Sequence, residues 1–156
     1  MLKRILPWFI FVCLFALLII GYSFKDSMNS YISKMMRAQA SPEMDKKGSA
    51  VVDSLYNYSV NGLEFQITFL EFGAKGCSAC TRMELVLEKI RNVYPQKVNV
   101  VFLNVLQPEN QFLMKYYGIA AIPTQVLLNK NGFEYFRHTG YYSFEELEKE
   151  INDTSQ

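Results

Sequence analysis

The sequence predicts an α/β domain, a mixed central sheet with helices on both faces, preceded by one N-terminal transmembrane helix. Three observations carry that prediction. Residues 65–72 and 98–105 are nearly all apolar, the composition of strands buried on both faces of a sheet. Helix-patterned stretches alternate with these runs. Asn131-Gly132 then joins two further strand-like segments as a hairpin. At 156 residues, half of them hydrophobic, the chain has material for one core-bearing domain and an appendage.

The appendage comes first. Residues 5–22 hold no charged side chain, a run just under the ~20 residues that a spanning helix uses. Trp8 and Tyr22 stand near its ends, where aromatic side chains anchor a span at the interfaces. Pro7 falls in the first turn, where a missing N–H costs little. The competing reading is a cleaved signal peptide. Ala38-Gln39-Ala40 has the small-x-small form of a cleavage site, but it lies far beyond the apolar core. Lys3 and Arg4 precede the run; Lys25, Lys34 and Arg37 follow it. The short basic tail favours a cytoplasmic N-terminus, which puts the folded domain on the extracytoplasmic, periplasmic side. Cys13, within the run, reads as a small apolar filler.

Phe24, Met28, Tyr31, Ile32 and Met35 recur at three- and four-residue steps, the pattern of a juxtamembrane helix. Its Met-rich stripe either packs on its own domain or the membrane surface, or binds a partner helix. Ser41-Pro42 and Gly48 mark a linker. The expected organisation is therefore an anchor over 1–24, a stalk and linker over 25–48, and the folded domain over 49–156. Val51, Val52, Leu55, Tyr56 and Tyr58 suggest a short helix ending at Asn61-Gly62. The first strand, residues 65–72, is interrupted by Glu71. A helix follows over 78–93 with Met83, Leu85, Val86 and Ile90 as its inner face. Residues 98–105 form a second buried strand. A short helix over 110–117 closes at Gly118 in the C′ position. Residues 125–129 and 133–138 make the hairpin, with His138 read as a surface residue of it. The last helix, 144–151, opens on Ser143 as N-cap with Glu146 three residues on. The order is β-α-β-α-β-β-α.

Charge excludes one class of partner. The net charge of +1 gives no electrostatic case for nucleic acid. The first forty residues hold five of the 16 Lys/Arg and one of the 15 acids, leaving 11 against 14 from Ser41 on, a mildly acidic domain behind a basic-flanked apolar leader.

The chemistry sits in Cys77-Ser78-Ala79-Cys80, where a strand gives way to a helix. A helix N-terminus offers free N–H groups and the positive end of its dipole to the first sulfur, which favours the thiolate. The second sulfur, one turn on, is placed to attack a mixed disulfide. Cys77 is thus the candidate nucleophile and Cys80 the buried resolving thiol. A structural disulfide is a weaker reading, because a loop this short restrains the unfolded chain little. A zinc site would need two more Cys or His ligands, and outside the apolar run only His138 remains. No metal and no cofactor beyond the redox-active Cys77–Cys80 pair is expected. Glu71 is either a proton acceptor with its pKa raised by burial or an edge residue facing solvent or a lysine. Lys75 either adds positive potential beside the thiolate or is a solvated loop residue.

This arrangement resembles the thioredoxin superfamily over roughly residues 50–152. Glu71, six before Cys77, stands where the family carries a buried acid. Residues 117–124, Tyr-Gly-Ile-Ala-Ala-Ile-Pro-Thr, look like the family segment that holds its cis-proline, and Asn131-Gly132 and Gly140 fall at its hairpin turn and following glycine. The resemblance implies a thioredoxin-like fold and a protein thiol–disulfide oxidoreductase. It also implies that Pro123 is cis, so that the backbone of Ile122 can pair with an extended substrate segment. Three positions depart from the family. Gly76 replaces the usual Trp before the first Cys, opening the surface beside the sulfur. Ser78-Ala79 replaces Gly-Pro, and Leu85 replaces the proline that kinks the active-site helix. The anchor and the buried acid together are similar to membrane-anchored thiol reductases. The expected partners are then protein disulfides and a membrane thiol electron donor. An oxidant or isomerase of the same fold, and a non-catalytic binding module, are the alternatives.

Overall fold

The computed structural model describes the backbone of residues 2–39 and 41–153, with the side chains of all of these except 2–6, 25 and 26. Four strands form one sheet in the order β2-β1-β3-β4. They are β1 (Ile67–Gly73), β2 (Val98–Asn104), β3 (Thr124–Leu128) and β4 (Glu134–Thr139). β1 and β2 are parallel; β3 is antiparallel to β1 and, through the hairpin, to β4.

The helices that cover the sheet sort by the pleat. Ile67 and Phe69 of β1 point with Leu127 of β3 to one face, where α5 (Ser78–Val93) and α7 (Phe144–Asn152) lie through Met83, Val86, Leu87, Ile90, Phe144, Leu147 and Ile151. Leu70 and Phe72 point with Val126 and Leu128 to the other face. There α3 (Pro42–Tyr56) contributes Val52 and Tyr56, and α6 (Gln111–Tyr116) contributes Leu113. Every residue of β1 is buried, which is why the segment shows no polar alternation. α7 opens with a capping box, Ser143 Oγ accepting from Glu146 N–H and the Glu146 carboxylate accepting from Ser143 N–H.

Three local expectations change. β2 is an edge strand, so most of its residues are only half-buried. On α5 the inward stripe is Met83, Val86, Leu87 and Ile90, at i, i+3, i+4 and i+7; Leu85 points outward, 70% exposed. The expected linker is helical from Pro42. Ser41 is the N-cap of α3, its hydroxyl accepting from Met44 N–H at 3.2 Å, with Pro42 in the first turn. Gly48 then lies against the Tyr116 ring, where a side chain would collide, and lets α3 approach α6. α3 is followed by the single turn α4 (Tyr58–Asn61), closed by Gly62 in the left-handed region.

Ahead of the sheet come α1 (Leu2–Ser23) and α2 (Lys25–Ala38). Every described side chain of α1 is exposed, Trp8, Phe9, Phe11, Leu17 and Leu18 among them. Among the described residues no single helix is long and apolar enough to cross a membrane. Pro7–Ser23 together with Ser27–Ala38, bent by 56°, have the length and composition jointly. α2 packs on its own domain, though not through its methionines. Ser33 is buried with its carbonyl against Gly118, and Arg37 reaches Glu134 at 3.5 Å and lies over the Tyr116 ring. Met28, Tyr31 and Met35 remain exposed.

Candidate active site

The site forms where β1 ends. The chain leaves the sheet through Ala74, Lys75 and Gly76 and enters α5 at Ser78. Gly76 has φ +85 with open space where a Cβ would sit, so the turn angle, not crowding, suits a glycine there. Cys77 is the N-cap of α5: its sulfur accepts from Cys80 N–H at 3.2 Å, and its carbonyl accepts from Thr81 N–H at 3.0 Å. Cys77 is half-buried and Cys80 is 2% exposed. The two are joined as a disulfide, with their Cα atoms 5.2 Å apart.

Gly73 makes room for that pair. A Cβ there would stand 2.8 Å from Phe102 Cε2 and 3.5 Å from Cys80 Sγ, so the bare backbone lets the second sulfur sit against β1. Glu71 is two residues earlier on the same face, about 6.6 Å along the strand. It is fully buried between its register partners, Phe102 of β2 and Gln125 of β3. Gln125 Nε2 donates to Glu71 Oε1 at 3.4 Å, and Glu71 Oε2 has no hydrogen-bond partner among the described residues. Burial pushes the carboxyl up from 4.5 to about 8, against the opposing pull of the Gln125 N–H. β1 is not an edge strand, and no salt bridge reaches Glu71 among the described residues, so the solvent-facing reading of this residue fails.

The Ile122–Pro123 peptide bond is cis. Phe72 pairs with Thr124, and continuing that register sets Pro123 beside Gly73, at the same end of the sheet as Cys80. Gly140 N–H donates to Pro123 O at 2.8 Å and Thr124 Oγ1 to Ala121 O at 2.8 Å, fixing the loop from both sides. Ile122 is half-buried, while Ala120 and Ala121 are exposed. Lys75 stays in the exposed loop. His138 is not a plain surface residue. It is half-buried opposite Gln125 on β4, its ring 4.4 Å from that of Tyr142.

Cys77, Cys80, Glu71, Gly76, Ile122 and Pro123 thus converge on one end of β1. Gly73 and Gln125, which touch the same groups, were not singled out by the sequence reading. Gln125 carried the same signal as Glu71, a polar residue in an apolar strand. Its meaning depended on which residue of the neighbouring strand lay opposite.

The family model for a thioredoxin-like domain matches residues 54–155, well over half of the chain. The chain belongs to the thioredoxin-like family. A thioredoxin from Alicyclobacillus acidocaldarius subsp. acidocaldarius is 36% identical over 87 residues, covering 56% of this chain and 80% of that protein. A thioredoxin from Rickettsia bellii (strain RML369-C) is 33% identical over 84 residues, covering 54% and 77%. Among solved structures, oxidised mitochondrial thioredoxin 3 from Saccharomyces cerevisiae superposes with a TM-score of 0.50 at 30% identity, covering 58% of this chain and 81% of its own. A thioredoxin variant from Halobacterium salinarum NRC-1 reaches 0.53 at 24% identity, covering 61% and 80%, a likeness that speaks for the fold alone. With its cysteine pair joined at the head of α5, this thioredoxin-like protein is a thiol–disulfide oxidoreductase.

Proposed function

We propose that the protein is a membrane-tethered reductase of protein disulfides, working from the extracytoplasmic side. The observation that carries the chemistry is the pairing of a half-exposed Cys77 at a helix N-terminus with a sealed Cys80 close to a buried acid. A substrate segment docks in extended form against the Ile122-Pro123 backbone, with Gly76 leaving the other side of the sulfur uncovered. The Cys77 thiolate attacks one sulfur of the substrate disulfide; a mixed disulfide forms and the other sulfur leaves as a thiolate. Cys80 passes its proton to Glu71 and attacks Cys77 Sγ, which expels the second substrate sulfur. Two electrons have moved from the cysteine pair to the substrate, leaving the Cys77–Cys80 disulfide.

The exposed apolar α1 supports the tether, because a helix apolar all round is stable only where something apolar covers it. Re-reduction then falls to a membrane thiol donor held at high effective concentration by the anchor.

Three measurements test this reading. A Cys80→Ser variant expressed in cells should accumulate mixed disulfides through Cys77; the absence of any adduct argues against the two-step scheme. The potential of the Cys77–Cys80 couple in the full chain sets the direction. A value near about −270 mV marks a reductant, and one near about −120 mV an oxidant. A Cys77→Ser protein that keeps its whole cellular role would leave only a binding module.

A further inference from the structure

Gln125 occupies a position that strand composition alone would give to a leucine or valine. It is fully buried, directly opposite Glu71 in the β1–β3 register. Its Nε2 donates twice, to Glu71 Oε1 at 3.4 Å and to the Gly140 carbonyl at 3.1 Å. The Gly140 carbonyl can only accept, so it sets the orientation of the amide and turns the –NH2 end towards the acid. Gly140 in turn donates its N–H to Pro123 O, turning at φ +108 to do so.

We infer that Gln125 is a positioning residue for the buried acid. Its amide holds Glu71 Oε1 and the Gly140 carbonyl together, reserving Oε2 for the proton and tying the carboxyl to the loop that carries Pro123. The C=O oxygen of a protonated carboxyl is its better acceptor, so the Gln125 N–H favours the form with the proton on Oε2, the oxygen without another partner among the described residues. A hydrogen bond donated to a carboxylate strengthens on ionisation, so Gln125 also eases the charged form that must accept the Cys80 proton. The inference rests on Glu71 as that acceptor. The strand register and the close approach at Gly73 give the other neighbours of the acid. From β2 this is the apolar Phe102, and from α5 Cys80, whose sulfur lies against Gly73 two residues further along β1. Beyond Gln125, on β4, lies His138, its ring tilted against that of Tyr142; Lys75 lies in the exposed loop.

The experiment uses the full chain in detergent. The infrared C=O band of the protonated carboxyl is followed against pH, and the rate at which Cys80 resolves a mixed disulfide with a small aromatic thiol is measured over the same range. The band that disappears in Glu71→Gln is assigned to Glu71. In Gln125→Leu its midpoint should rise by about one pH unit, with resolution at neutral pH about tenfold slower. Gln125→Met, of similar volume to the native side chain, serves if the leucine variant does not fold. In a Glu71→Gln background the Gln125 change should leave the pH profile unaltered. An unmoved carboxyl midpoint in the folded Gln125 variants, or an equal shift of the profile with and without Glu71, overturns the inference. If Glu71→Gln leaves the parent's rate profile intact, the proton-acceptor role of Glu71 falls instead, and the carboxyl midpoint still judges Gln125.

Discussion

Glu71 is the residue whose energetics the site depends on. The folded carboxyl titrates near 8 and the unfolded one near 4.5, so the folded chain holds an extra proton between those values. Its contribution to stability is complete below the lower value and is lost as pH rises towards the upper one. Glu71→Gln is neutral at every pH and loses that slope. Urea unfolding should therefore find variant and parent nearly equal at pH 5, with the variant ahead by roughly 2–4 kcal/mol above pH 8. Gly73 makes the opposite case, a residue needed for what it lacks. Gly73→Ala drives a methyl into the Phe102 ring and towards Cys80 Sγ, and should cost about 1–3 kcal/mol by denaturant titration. Glu71 stood out in the sequence as a charge in an apolar strand. Gly73 did not, because nothing in a strand pattern says which ring will cross a given glycine.

Among the elements, α5 and α7 were the most legible. Both ends of α5 and the cap of α7 matched the sequence reading, because Cys77 at a strand-to-helix junction and Ser143 with Glu146 are local signals. α2 shows the limit of such signals. Its Met-rich periodicity announced a helix correctly, yet the side that docks is Ser33 and Arg37, chosen by the bare Gly118 and by Glu134 on β4. The ion pair is partly solvated and contributes little alone, so steric fit at Gly118 governs the docking. Gly118→Ala puts a methyl against the Ser33 carbonyl at a residue with φ +60. Hydrogen exchange of the α2 amides should then accelerate markedly more than that of α5. Equal acceleration in both helices would mean that α2 does not depend on this contact.

Across the whole molecule, the proposed tether separates two properties. A chain beginning at Phe24, which keeps the docked α2, should still reduce a small disulfide at the parent rate. Its re-reduction by membranes should fall by about a hundredfold or more, since the anchor raises effective concentration without altering the site. Turnover against membranes with and without the leader measures this. Unchanged re-reduction would remove the tether from the mechanism.

The order of strands and helices, the cysteine pair and the hairpin turn were all determined by the sequence alone. Each depends on periodicity, capping or turn chemistry within a few residues. What only the tertiary structure decided was lateral. β2 lies at the edge and leaves most of its residues half-buried, Leu85 yields its inner place to Leu87, and His138 lies half-buried beside Tyr142. Above all, Gln125 stands opposite Glu71. Residues 54 apart meet there because an antiparallel register pairs them, and that register is set by how whole strands bury their faces, not by any signal near either residue.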